Sequence, residues 1–234
     1  MTELLYQTDS YVKEFDASVV KAEGKSIFLD KTHFYPTSGG QPGDTGVMVA
    51  GGKEYKVVAA KKVGGEVVHE VDSEGINVGD KVHCRLDWEK RYKHMRGHTA
   101  CHILSYVVNK ATGALITGNQ IADDKCRVDF DLENFDREQI KTFEQEANAI
   151  IAAAAPVSTR IMPREEAFKI PSVMKLKNVL PPSVEMIRIV EMKGYDTQAC
   201  GGTHVKNTSE IGGITVTSAE NKGKNNRRIY FVLK

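Results

Sequence analysis

Two pairs of metal-type residues constrain this chain more than any other feature: His98-Thr-Ala-Cys-His102 and, roughly a hundred positions later, Cys200-Gly-Gly-Thr-His204. Each pair holds its members four residues apart. Imidazole and thiolate are donors that zinc takes at roughly 2.0–2.1 and 2.3 Å, usually in a tetrahedron. A domain that brings the two pairs together has a four-donor site.

The first pair lies in a stretch that reads as helix from Asp87 to Lys110. Met95, Ile103, Leu104, Val107 and Val108 recur at helical spacing, and Gly113 stands just past the end as a stop signal. Residues four apart share one helix face, with Cβ atoms about 5–6 Å apart, so His98 and His102 can grip one ion from the same side. Cys101 is rotated off that face and reads as a packed thiol. The second pair cannot be ordinary helix, because glycine weakens a helix interior and Gly201-Gly202 follow Cys200. A glycine pair suits a loop that turns tightly or approaches a ligand closely.

Spacing alone leaves the ion's task open. The zinc-protease pattern places a glutamate base beside the first histidine, where this chain has Thr99, so a peptidase of that type is disfavoured. Four protein donors close a tetrahedron, as in structural sites, whereas catalytic zinc keeps an open position. Either one donor yields or coordination expands to admit water or substrate, or the ion only holds the fold.

A chain of 234 residues allows two domains, and 41% hydrophobic with 27% charged residues excludes disorder. From Lys13 to Asp87, short β-rich runs (Ala17–Val20, Ser26–Leu29, Tyr55–Val58, Glu66–Val71, Lys81–Leu86) are separated by Glu23-Gly24, Gly51-Gly52 and Gly64-Gly65. That punctuation predicts a small barrel over residues 1–88, interrupted by the irregular loop Phe34–Gly46. Residues 89–234 open with the histidine helix. They continue with a strand at Lys125–Asp131, an amphipathic helix from Asp136 to Ala155, and strands at Val157–Ile161 and Val184–Met192. Pro163–Pro182 is a mixed segment of short helix and loop, and Gly213–Ala219 with Arg227–Leu233 reads as a closing hairpin. Strands and helices do not alternate regularly, so the fold class is α+β: an N-terminal small β-barrel followed by an α/β layer sandwich, not a doubly wound sheet. No apolar run reaches the 18 residues that signal a membrane span, and no charged-then-apolar leader opens the chain. Cys84, Cys101, Cys126 and Cys200 form no disulfide-rich pattern, which suits a reducing cytoplasm.

Four segments carry a resemblance. Phe34-Tyr-Pro-Thr-Ser-Gly-Gly-Gln-Pro-Gly-Asp-Thr-Gly46, Arg96-Gly-His-Thr-Ala-Cys-His-Ile-Leu104, Arg127-Val-Asp-Phe130 and Cys200-Gly-Gly-Thr-His-Val205 together resemble the editing half of alanyl-tRNA synthetase, in the same order and over nearly the whole chain. The chain resembles the free-standing editing proteins of the AlaX type, in the medium-length form that keeps the N-terminal barrel. The resemblance implies a zinc-dependent deacylase that hydrolyses the ester between a wrong amino acid, serine or glycine, and the 3′ end of tRNA(Ala). It makes residues 1–88 the barrel domain and 89–234 the editing domain. It implies that His98, His102, Cys200 and His204 hold Zn2+, and that Thr99 lines the amino-acid pocket with its hydroxyl toward the serine side chain. It places Ser38, Gly39, Gly40 and Gln41 at the substrate end of the tRNA, and Gly201, Gly202 and Thr203 beside the terminal adenosine. The glutamine that precedes the synthetase's pocket glycine has no counterpart in Leu115-Ile-Thr-Gly118, and Gln120 is out of register. The resemblance stops before the synthetase's C-terminal tRNA-binding extension, so the expected action is in trans, with recognition of the acceptor stem.

The chemistry is coherent without the family. Ester hydrolysis needs a positioned water, a base and help for the developing oxyanion, and zinc lowers the pKa of water to about 7 while polarising carbonyls. No glutamate base stands beside the first pair. An apolar pocket rejects an added hydroxyl only about a hundredfold, so a separate site that hydrogen-bonds the hydroxyl is the means of preferring serine over alanine. Net charge is only +1, but Lys90, Arg91, Lys93 and Arg96 precede the first pair and Lys222, Lys224, Arg227 and Arg228 lie near the end. These read as phosphate-binding patches, with His94 a surface or RNA-facing residue, and salt would weaken such binding. Two other readings stay open: threonyl-type editing, and a zinc-stabilised RNA-binding module without catalysis.

Overall fold

In a computed structural model, which describes residues 2–174 and 184–234, the chain divides into two compact units, 1–95 and 96–234. The first unit carries β1 (Glu3–Leu4), β2 (Glu14–Glu23), β3 (Ser26–Leu29), β4 (Lys31–Thr32), β5 (Gly46–Ala50), β6 (Lys53–Val63), β7 (Glu66–Val71) and β8 (Lys81–Leu86). Six of them close a barrel in the order β2-β3-β7-β6-β5-β8, while β1 pairs in parallel with β4. Period-two alternation selects the inner face: along β8, Val82, Cys84 and Leu86 are buried while Lys81, His83 and Arg85 are exposed. Gly51-Gly52 and Gly64-Gly65 both take positive φ at both residues, the backbone of tight hairpins whose twist matches the strands they join. Register shifts in β2 at Val19/Lys21 and in β6 at Val57/Ala59 supply the local bends that closure requires.

The loop Phe34–Gly46 is irregular, as its Pro and Gly content predicts, but it is not loose. Arg91, fully buried, pairs with Asp44, its Nε lying 3.0 and 2.9 Å from the two carboxylate oxygens, and also donates to the carbonyls of Ser10 and His33. Asp44 in turn accepts the Tyr35 N–H at 2.6 Å. Arg91 is therefore an internal tie, not the phosphate contact its sequence neighbours suggested. His94, expected at the surface, is likewise fully buried.

Helix α1 (Trp88–Thr112) starts in the first unit and continues into the second, ending at Gly113 with φ 77°. The second unit adds β9 (Ile116–Ile121), β10 (Cys126–Phe130), α2 (Arg137–Ala152), β11 (Val157–Pro163), α3 (Arg164–Ala167), α4 (Pro171–Met174), β12 (Met186–Met192), β13 (Asp196–Ala199), β14 (Ile214–Asn221) and β15 (Arg227–Leu233). One antiparallel sheet runs β14-β15-β10-β9 and a second runs β11-β12-β13. The α+β architecture with an N-terminal barrel is as the sequence indicated. Strands β1, β4, β5, β9 and β13 were not foreseen, and of the mixed segment Pro163–Pro182, residues 175–182 lie outside the described part.

Local chemistry explains the pieces. Helix α2 opens on a capping box between Asp136 and Gln139, and buries Phe143, Ala147, Ile150 and Ile151 along one face. Asn148 ties that helix to β14, donating to the Ile214 carbonyl and accepting its N–H, both at 2.9 Å. In α1, Gly97 permits close packing: a Cβ there would lie 2.9 Å from Cys126 Sγ. Cys101 is a packed thiol, 1% exposed. Of the basic residues near the chain end, Lys222 and Lys224 are exposed, whereas Arg227 and Arg228 are held by internal partners. Arg228 and Arg127 both bind Asp129, at 2.7–2.9 Å, and the Asp129 carboxyl sits below the usual range because these cations outweigh its burial. Arg227 is buried on Asn221 and the Gly223 carbonyl, and Arg96 donates to the carbonyls of Ile211 and Lys234.

Candidate metal centre

Both pairs meet inside the second unit. His98 and His102 stand one turn apart on α1, and Cys200 and His204 lie in the loop that follows β13. One donor atom from each falls within 4.8 Å of the other three. Cys200 Sγ is 3.6 Å from His98 Nε2 and 3.3 Å from His204 Nε2. A zinc tetrahedron with the usual bond lengths has N···S edges of roughly 3.5 Å, so the separations fit an ion that takes these donors. The imidazole centroids lie 4.4–5.3 Å apart, and all three histidines are at least nine-tenths buried.

Electrostatics favour ligand-competent histidines. Burial pushes His102 down to about 4, with the Arg188 charge acting the same way. Burial likewise holds His98 and His204 well below the usual imidazole range, and neighbouring imidazoles and Arg188 add to it. Neutral rings have a free lone pair to give. Burial pushes the Cys200 thiol up against the opposing pull of the Gly202 N–H and Arg188, so a metal ion taking that sulfur displaces a proton. The four residues can hold a metal ion.

Two participants escaped the sequence reading. Arg188 is 7% exposed on β12 and donates from Nη1 to the carbonyls of Cys200 and Gly202, both at 2.8 Å, which pins the glycine turn. A lone arginine inside the run Met186–Met192 was the signal for it. Asp196, on β13, sets Oδ2 3.9 Å from His102 Nδ1; burial raises its carboxyl to about 6 against hydrogen bonds from Gln198 and Thr197. It stands eight residues before His204, so only the β12–β13 pairing brings it near the first pair.

Thr99, whose hydroxyl the resemblance directs toward the serine side chain, is fully buried. Its Oγ1 lies 3.1 Å from His204 Nδ1 and accepts the Val205 N–H at 3.2 Å. Of the residues expected to face substrate, Gly201 is exposed while Gly202 and Thr203 are buried. In the first unit, Ser38, Gly39 and Gly40 are exposed at a turn closed by reciprocal Ser38–Gln41 backbone bonds, and Gln41 is fully buried.

An α+β chain with a closed barrel and a preformed histidine–cysteine centre is the class these observations define. A model of the threonyl and alanyl tRNA synthetase second additional domain matches residues 187–230, and one of class II (A) tRNA synthetases matches residues 6–90. The alanyl-tRNA editing proteins AlaX-M of Methanosarcina mazei and Methanosarcina barkeri are 48% and 47% identical, covering all of this chain and 97% and 99% of theirs. The alanine–tRNA ligase of Metallosphaera sedula is 38% identical over 94% of this chain, which matches 25% of the ligase. The chain belongs to the AlaX-M family of alanyl-tRNA editing proteins.

Proposed function

We propose that this protein is a trans-editing hydrolase that deacylates mischarged tRNA(Ala), Ser-tRNA(Ala) and also Gly-tRNA(Ala), at a zinc ion held by His98, His102, Cys200 and His204. The observation that carries this reading is the convergence of the four donors in a chain aligned end to end with proteins named for alanyl-tRNA editing. Those full-length matches favour the alanyl over the threonyl reading.

When bound, zinc supplies a Lewis acid that lowers the pKa of water and polarises an ester carbonyl. The chain does the rest. Arg188 fixes the Cys200–Gly202 turn by its two carbonyls, and a peptide C=O lies antiparallel to the next N–H, so the Gly201 amide is directed away from the guanidinium. Exposed Gly201 leaves room there for the terminal nucleotide. Water adds to the ester carbonyl, the ester C–O bond breaks, and the free amino acid and the tRNA 3′ hydroxyl leave. Ser38, Gly39 and Gly40, exposed at the turn that buried Gln41 closes, serve as contacts for the acceptor end, and the setting is the cytoplasm, where charged tRNA is used. No helix among the described residues is long and apolar enough to cross a membrane.

His102→Ala tests the reading. It removes one of four donors while a small side chain stays acceptable in the helix. We expect metal content to fall and hydrolysis of Ser-tRNA(Ala) to drop at least a hundredfold with the helical circular-dichroism signal retained. A folded variant with the parent's deacylation rate would exclude a catalytic metal.

A further inference from the structure

We propose that Thr99 is the positioning residue of the metal centre: its hydroxyl holds His204 in the tautomer that presents Nε2 to the ion, and bolts the second pair of donors to the helix that carries the first. The inference rests on the metal reading above but assigns Thr99 a different task from the pocket role its family position suggested. His204 is held at both ring nitrogens. Its Nε2 lies 3.3 Å from Cys200 Sγ, inside the donor cluster, while its Nδ1 lies 3.1 Å from Thr99 Oγ1. An imidazole nitrogen that binds a metal carries no proton, so the ring proton of a ligating His204 resides on Nδ1 and is donated to the threonine oxygen.

A hydroxyl oxygen has two lone pairs, and both are used. One accepts the Val205 N–H at 3.2 Å, and the other takes the Nδ1–H of His204. Two consecutive loop residues are thus tied to one atom of α1, one position along from His98. The tie matters because the loop contains Gly201-Gly202, whose backbone freedom would otherwise have to be lost on binding. Arg188 restrains the start of that loop through the Cys200 and Gly202 carbonyls, and Thr99 restrains its end. Thr99 is fully buried, so no water replaces its hydroxyl once it is removed.

The test is zinc affinity of the full chain, measured by competition with a chromophoric chelator, for the parent, Thr99→Val and Thr99→Ser. Valine keeps the β-branched shape and loses the oxygen, whereas serine keeps the oxygen. Loss of an outer partner of a metal-bound histidine weakens affinity about 10–100-fold, and that loss is expected for Thr99→Val, with Thr99→Ser near the parent. The Co2+-substituted Thr99→Val protein should show an altered visible spectrum. Equal zinc affinity in parent and Thr99→Val would overturn the inference, as would equal losses in Thr99→Val and Thr99→Ser. A readout on the parent covers the case in which Thr99→Val does not fold: long-range 1H–15N correlation of the zinc-loaded protein should show His204 protonated at Nδ1, and protonation at Nε2 would overturn the inference. A parent that binds zinc and passes these tests without deacylating any tRNA would sink the proposed function and leave Thr99's role standing.

Discussion

At the scale of single residues, Gly201 separates what the fold needs from what substrate needs. Its φ is not in the left-handed region, and a Cβ there would meet nothing within 4 Å. Neither backbone nor packing therefore explains a glycine. Gly201→Ala should leave the melting temperature and zinc affinity at parental values while raising KM for Ser-tRNA(Ala) by about tenfold, the scale of 1.4 kcal/mol. Unchanged steady-state kinetics would show that nothing approaches that face. The donors themselves were legible in the chain because two four-residue spacings of His and Cys need no tertiary knowledge to recognise. Arg188, Asp196 and the true partners of Thr99 were not, since their roles depend on strand pairing and on a contact between residues 105 or more positions apart. The basic residues misled for the same reason. A cation looks alike in sequence whether it faces solvent, as Lys93 does, or an internal carboxylate, as Arg91 and Arg228 do.

At the scale of elements, the segment Phe34–Gly46 shows how an irregular loop is made rigid. Proline and glycine content told that it would lack regular structure, but not that a buried ion pair would hold it. Removing one member of such a pair strands the other charge and costs about 3–5 kcal/mol. Asp44→Asn should therefore lower the urea midpoint of the barrel unit strongly. A shift no larger than that of a surface substitution, within about 0.5 kcal/mol, would mean that Arg91 finds another acceptor. Strands with clear alternation, such as β8, were legible, whereas β9 (Ile116-Thr-Gly-Asn-Gln-Ile121) was not. Its residues are mostly exposed or half-buried and lack an alternating apolar face; pairing with β10 makes it a strand.

At the scale of the whole molecule, stability should fall in mild acid for a reason independent of the metal. His69 is fully buried in the barrel unit, its Nδ1 donating to the Ile27 carbonyl at 3.1 Å, which leaves Nε2 to accept the Thr32 hydroxyl at 2.8 Å. Burial lowers its pKa to about 4 from the usual 6.5. Between those values the unfolded chain binds a proton that the folded chain does not, so unfolding becomes easier as pH falls from 6.5 toward 4, by up to about 3 kcal/mol, and the term flattens below 4. Chemical denaturation of the zinc-free protein across that range checks it, with a His69→Gln variant expected to show a shallower slope than the parent, the buried histidines of the metal centre supplying the remainder. Equal slopes in variant and parent would assign the acid sensitivity elsewhere. The central claim is a discrimination as well as a reaction, and one assay addresses both: deacylation of Ser-tRNA(Ala) beside correctly charged Ala-tRNA(Ala), with zinc-loaded and chelator-treated protein. The account predicts rapid, zinc-dependent loss of serine with alanine spared. No hydrolysis by folded, zinc-loaded protein would contradict it, leaving a structural ion in an RNA-binding protein.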